Sequence, residues 1–104
     1  STKFAINGLT QSLSKELGYK GIRVNAICPV LILTPGLKKA LKSKYAPSKN
    51  NIKRFIYNFT KEQSALNRLP LGIDVANMCL FLSSKEANSI TGQCINVDCG
   101  VLPQ

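Results

Sequence analysis

Histidine is absent from all 104 residues, and the four cysteines, Cys28, Cys79, Cys94 and Cys99, form no Cys-x-x-Cys pair. These absences exclude the usual donor sets of a structural zinc site or a dithiol redox centre, so no metal ligand is assigned. No apolar run approaches the roughly 18 residues that a membrane-spanning helix needs. No repeat, low-complexity tract or linker divides the chain. Three of the cysteines stand among apolar neighbours, where a thiol behaves as a small hydrophobe. Reduced cysteines without a secretory signal give the cytoplasm as the expected location.

Acidic residues are scarce, five against fourteen Lys and Arg, for a formal charge of +9. Eight of the basic residues lie from Lys38 to Lys61, in a stretch with no Asp or Glu. Such a block attracts an acidic ligand, nucleic acid or an anionic membrane, or is simply a solvated face. Its aromatics, Tyr45, Phe55, Tyr57 and Phe59, are too few and too irregular for a base-stacking platform. Nucleic acid is therefore not taken as a partner, and, with no spanning run, neither is a membrane.

What remains is the composition of one small packed domain, 44% hydrophobic and 18% charged. Ala5, Ile6, Leu9, Leu13 and Leu17 recur at helical spacing and predict an amphipathic helix over 3–18, with Gly18 as its stop. The β-branched run from Ile22 to Cys28, before Pro29, predicts a buried strand, followed by a loop from Val30 to Thr34. Residues 36–70 form a basic insert with helical pieces near 37–44 and 52–63. Asp74 marks the first turn of a helix reaching about Ser84, with an apolar face of Val75, Ala76, Cys79, Leu80 and Leu82. Thr91-Gly92 turns into a last strand over 93–97, ended by Asp98-Cys99-Gly100.

Helix, strand, helical insert, helix, strand is the second half of an alternating pattern. The expected fold class is therefore α/β, the C-terminal half of a Rossmann-like doubly wound parallel sheet. Two strands cannot supply the neighbours that such a sheet needs on both faces and edges. The chain alone is expected to fold poorly or aggregate through an apolar edge.

Three segments, in order, resemble the short-chain dehydrogenases/reductases over nearly the whole chain. Ser1-Thr2-Lys3-Phe4-Ala5 with Gly8-Leu9-Thr10 resembles the family helix bearing Tyr-x-x-x-Lys. Gly21 to Pro29 resembles the sixth strand, and Ile90 to Gly100, with its Thr-Gly-Gln, the seventh. The resemblance implies that residues 1–104 are the C-terminal part of a single domain beginning inside an active site, its tyrosine two positions before Ser1. It further implies an NAD- or NADP-dependent oxidoreductase interconverting an alcohol and a carbonyl compound.

Lys3 would be the catalytic lysine, favouring the phenolate by its charge and bonding the nicotinamide ribose. Pro29, Ile32 and Thr34 fall on the family loop that holds the nicotinamide carboxamide, and Asn25 on a structural strand asparagine. Three positions depart from the pattern: Val30 and Cys99 stand where glycine is common, and Pro70-Leu71-Gly72 where Gly-x-Pro is. The insert occupies the place of the substrate lid. Lys38, Lys39 and Lys42, together with Lys44, Lys53 and Arg54, would there attract an anionic small-molecule substrate.

The family also implies a homo-oligomer, a dimer through the first helix or a tetramer through the last helix and strand. The glycine-rich phosphate-binding turn and the tyrosine would belong to the other half, leaving the 104 residues alone inactive. The alternative is a truncated, non-catalytic paralogue acting as a binding protein. A nucleic-acid-binding module rests on net charge alone.

Overall fold

The structure, a computed structural model, describes residues 2–30 and 52–101. Its elements are α1 (Thr2–Leu17), β1 (Ala26–Pro29), α2 (Ile52–Gln63), α3 (Gly72–Leu82) and β2 (Cys94–Val97), with 3-10 turns at Gly18–Lys20 and Lys85–Ala87. The helical piece expected near 37–44 lies outside the described residues. The chain divides into two compact units, Ser1–Cys28 with Ile73–Val97, and Pro29–Gly72 with Asp98–Gln104.

In the first unit β1 and β2 are neighbours in one sheet. Gly92 N–H donates to Val24 C=O at 2.7 Å and Ala26 N–H to Gln93 C=O at 2.8 Å, so both strands advance in the same direction, as an α/β sheet requires. β1 begins at Ala26, later than the β-branched run suggests. The cause is Asn25, whose Nδ2 donates to Ile90 C=O at 3.0 Å while its Oδ1 accepts Gln93 N–H at 3.1 Å. Beside it, Val24 N–H donates to the Thr91 hydroxyl at 3.0 Å. Side chains here take bonds that a regular ladder would assign to the backbone.

The inward face of α1 differs from the expected one. Ile6 and Leu9 are 40% and 61% exposed, whereas Thr10 and Ser14 are buried and Lys3, Asn7, Leu13 and Leu17 half-buried. The packed stripe is thus Lys3, Asn7, Thr10, Ser14 and Leu17, at spacings of three and four, with the expected Leu13 at its edge. Close approach explains the polarity: a Cβ on Gly92, whose φ is +74°, would lie 2.8 Å from Ser14 Oγ. Leucine has no room there. The buried hydroxyls bond back to their own helix, Thr10 to Ile6 C=O at 2.7 Å and Ser14 to Gln11 C=O at 2.8 Å, so burial leaves neither unsatisfied.

α1 ends at Leu17, and the left-handed cap is Gly21, at φ +74°, rather than Gly18. Gly21 N–H closes the 3-10 turn onto Gly18 C=O at 2.9 Å.

The apolar core of the described residues is small, with Leu82 and Ala87 its buried hydrophobic members. Asp74 lies in the first turn of α3, as its charge predicts. The expected apolar face buries only in part: Leu82 is buried and Val75 half-buried, but Leu80 is 70% exposed and Ala76 and Cys79 are exposed too. What ties α3 down is Arg23, whose Nη2 donates to Leu82 C=O at 2.6 Å and Nη1 to Ile90 C=O at 3.1 Å. Leu82 is the last residue of a helix, where carbonyls lack intrahelical donors and positive charge meets the negative end of the dipole.

In the second unit, Phe55 and Phe59 stack one turn apart on α2, their ring centroids 6.2 Å apart. Just past α2, the buried Ser64 hydroxyl faces Arg68 C=O at 2.8 Å and Cys99 C=O at 3.0 Å, and Leu66 N–H donates to the same Cys99 carbonyl at 3.0 Å. The 98–101 turn is closed by the Asp98 carboxylate, which accepts Gly100 N–H at 3.0 Å. Cys99 adopts φ +54° and Gly100 +85°, and a Cβ on Gly100 would meet Ala65 Cβ at 2.4 Å. The departure at Cys99 thus falls where backbone conformation favours glycine. Pro70 is fully buried just before α3 opens at Gly72.

Candidate active site

Lys3 occupies the first turn of α1, half-buried, and its Nζ donates to Asn96 Oδ1 at 2.8 Å across 93 residues of sequence. Side chains of a strand alternate between faces, so Asn96 shares its side of β2 with Cys94. Cys94 Sγ accordingly lies 3.8 Å from Thr10 Oγ1, on the packed stripe of α1. From β1, Cys28 completes the surroundings. Burial raises its thiol above the ordinary range, Cys94 beside it adds to that, and the Lys3 charge pulls the other way. The Cys28 thiol is thus kept neutral and offers the ammonium no counter-charge.

An ammonium carries three donors, and Asn96 accounts for one. Directional donors of fixed positive charge suit vicinal hydroxyls, such as those of a ribose. Lys3 and Asn96 are the residues that would face it.

Pro29 closes β1 and is exposed. Ile32 and Thr34 lie outside the described residues, as do Lys38, Lys39, Lys42 and Lys44. Lys53 and Arg54 are exposed on α2. Val30 does not take the left-handed backbone that glycine permits, since positive φ outside glycine is confined to Asn67 and Cys99 among the described residues. Asn25 is occupied on both sides of its amide by backbone, which makes it structural. All four cysteines are free thiols, and Cys79, expected among apolar neighbours, is exposed.

Tyr57 and Lys61 repeat the Tyr-x-x-x-Lys spacing on α2. There the ammonium lies over the ring, 5.7 Å from its centroid, in a cation–π contact. With Thr60 and Asn67 they line a cavity of about 330 Å³ in the second unit. Among the described residues no cluster of metal-ligating side chains occurs, and no helix is long and apolar enough to cross a membrane.

Sequence reasoning passed over Asn96 and Arg23. A signal for the first existed: an amide at the centre of Cys-Ile-Asn-Val is costly in a half-buried strand unless it has a partner. Arg23 carried none, because its acceptors are backbone carbonyls.

Comparison with known proteins fits this geometry. A family model described as enoyl-(acyl carrier protein) reductase matches residues 1–102. Diacetyl reductase [(S)-acetoin forming] of Staphylococcus aureus is 37% identical over 97% of this chain and 39% of its own length. L-2,3-butanediol dehydrogenase of Corynebacterium glutamicum is 40% identical over 98% of this chain, again 39% of its own. The L-sorbose reductase of Gluconobacter frateurii, solved with NADPH and L-sorbose, superposes with a TM-score of 0.85 at 31% identity, covering 99% of this chain and 39% of that one. The chain therefore spans about two fifths of the length of these relatives. With the matched segments in order and the parallel strands paired, the chain belongs to the short-chain dehydrogenase/reductase family.

Proposed function

We propose that the protein carrying this chain is an oxidoreductase interconverting an alcohol and a carbonyl compound with NAD or NADP. The observation that carries this reading is the half-buried Lys3 ammonium, held 2.8 Å from Asn96 beside paired parallel strands. Similarity to a diacetyl reductase, a butanediol dehydrogenase and an NADPH-bound sorbose reductase supports it.

The nicotinamide supplies or accepts the hydride when bound. Lys3 has two tasks. Its remaining donors hold the ribose, and its charge stabilises the ionised form of the phenol expected two positions before Ser1, bringing that group into a useful range for proton exchange with the alcohol oxygen. Pro29, Ile32 and Thr34 are assigned to the carboxamide, and Lys38, Lys39 and Lys42 to drawing in an anionic substrate. The phosphate-binding turn is assigned upstream, so residues 1–104 do not turn over alone. The protein acts in the cytoplasm as a homo-oligomer, dimer or tetramer.

The test is reduction of diacetyl and oxidation of 2,3-butanediol by the complete protein with each nicotinamide cofactor. Lys3→Ala is expected to lower kcat/KM by about 100-fold or more without a loss of fold. A folded Lys3→Ala protein with undiminished turnover would remove the assignment.

A further inference from the structure

A lysine side chain has four rotatable bonds, and in the first turn of a helix nothing local fixes where its ammonium points. Here an acceptor from the opposite end of the chain does. Asn96 lies within β2, Cys94–Val97, so its amide oxygen is placed by the sheet rather than by a loop. The chemistry of that acceptor matters. A carboxylate at this position would hold the amine at least as firmly but would cancel its charge, whereas an amide oxygen fixes it and leaves the charge whole. The Cys28 thiol from β1 lies within reach of the Lys3 charge, and Cys94 from β2 lies beside Cys28.

We propose that Asn96 is the positioning residue of this site, aiming the Lys3 ammonium while preserving the positive charge that the phenol and the nicotinamide ribose use. This role rests on the reading of Lys3 as an active-site lysine.

Two measurements on the complete protein test it: NADH or NADPH affinity by fluorescence titration, and the pH dependence of kcat for 2,3-butanediol oxidation. Asn96→Asp is expected to move the ionisation limb upward by about one pH unit, because the new carboxylate offsets the ammonium's pull on the phenol. Asn96→Ala is expected to weaken cofactor binding about tenfold by freeing the lysine, and Asn96→Gln, which keeps the amide oxygen, to restore most of it. A merely structural asparagine would leave Asn96→Ala and Asn96→Gln equally impaired in cofactor binding.

An unmoved limb in folded Asn96→Asp overturns the proposal. Should that variant fail to fold, the other two decide, and equal losses in Asn96→Ala and Asn96→Gln overturn it. A wild-type protein that binds neither NADH nor NADPH instead sinks the oxidoreductase reading, and this role with it.

Discussion

In the unit built from Ser1–Cys28 and Ile73–Val97, side chains reach across 59 to 93 residues of sequence: Lys3 to Asn96, Arg23 to Leu82 and Ile90, Asn25 to Ile90. Among the described residues of the unit built from Pro29–Gly72 and Asp98–Gln104, the Cys99 carbonyl accepts both the Ser64 hydroxyl, 35 residues away, and Leu66 N–H. Beside the Asp98 carboxylate, which accepts Gly100 N–H, the closure there uses left-handed backbone at Asn67, Cys99 and Gly100. Among the described residues, amides and cations latch the first region over long spans, while the second leans more on left-handed backbone. They should therefore differ in emphasis, the first being the more sensitive to a shortened side chain and the second to a methyl group added at its turn.

The harshest way to probe that contrast is Gly100→Ala. Its Cβ would lie 2.4 Å from that of Ala65 at a φ of +85°, so strain and overlap should together destabilise the complete protein by about 3 kcal/mol. The midpoint of a denaturant titration reads this. Gly8→Ala is the control, since an added Cβ there meets nothing within 4 Å.

Next in size is Arg23→Ala, which strips charged donors from Leu82 and Ile90 and should cost about 2 kcal/mol. Hydrogen exchange at the C-terminal turn of α3 should accelerate. An unchanged exchange rate there would mean that the first region is not held by its latches.

Smaller, and opposite in sign, is Cys99→Gly. Relieving an L-residue at φ +54° should stabilise by about 0.5–1 kcal/mol, net of the extra freedom that glycine gives the unfolded chain. A loss would show that the turn is not strained.

The smallest effect concerns pH. Burial raises the Cys28 thiol, so the folded chain holds that proton more tightly than the unfolded one. The stability this adds is complete below the unfolded thiol pKa and is lost as pH rises through the folded value. Cys28→Ala should flatten the alkaline decline of the denaturation midpoint, and an identical decline in both proteins would remove Cys28 as its cause.

The helix of α1 was legible because its leucines keep a helical period and glycines follow it, two local signals. Its orientation was not. Periodicity identifies an apolar stripe without saying what covers it, and here Thr10 and Ser14 face inward because Gly92 comes too close for anything larger. The late start of β1 was hidden for a related reason, since β propensity cannot foresee that the Asn25 amide bonds backbone 65 residues away. Lys3 stood out through resemblance. Its partner did not, because a contact spanning 93 residues is a property of the fold.

The meeting of Ser14 with Gly92 has a mechanical consequence. Eleven residues separate Ser14 from Lys3 on one continuous helix, a rod of about 16 Å at 1.5 Å per residue. A methyl group forced in at position 92 would act as a crowbar at one end of that rod, and a slight tilt at the fulcrum would become a larger swing of the ammonium at the other. Activity would then be damaged by a wedge that never comes near the reacting atoms.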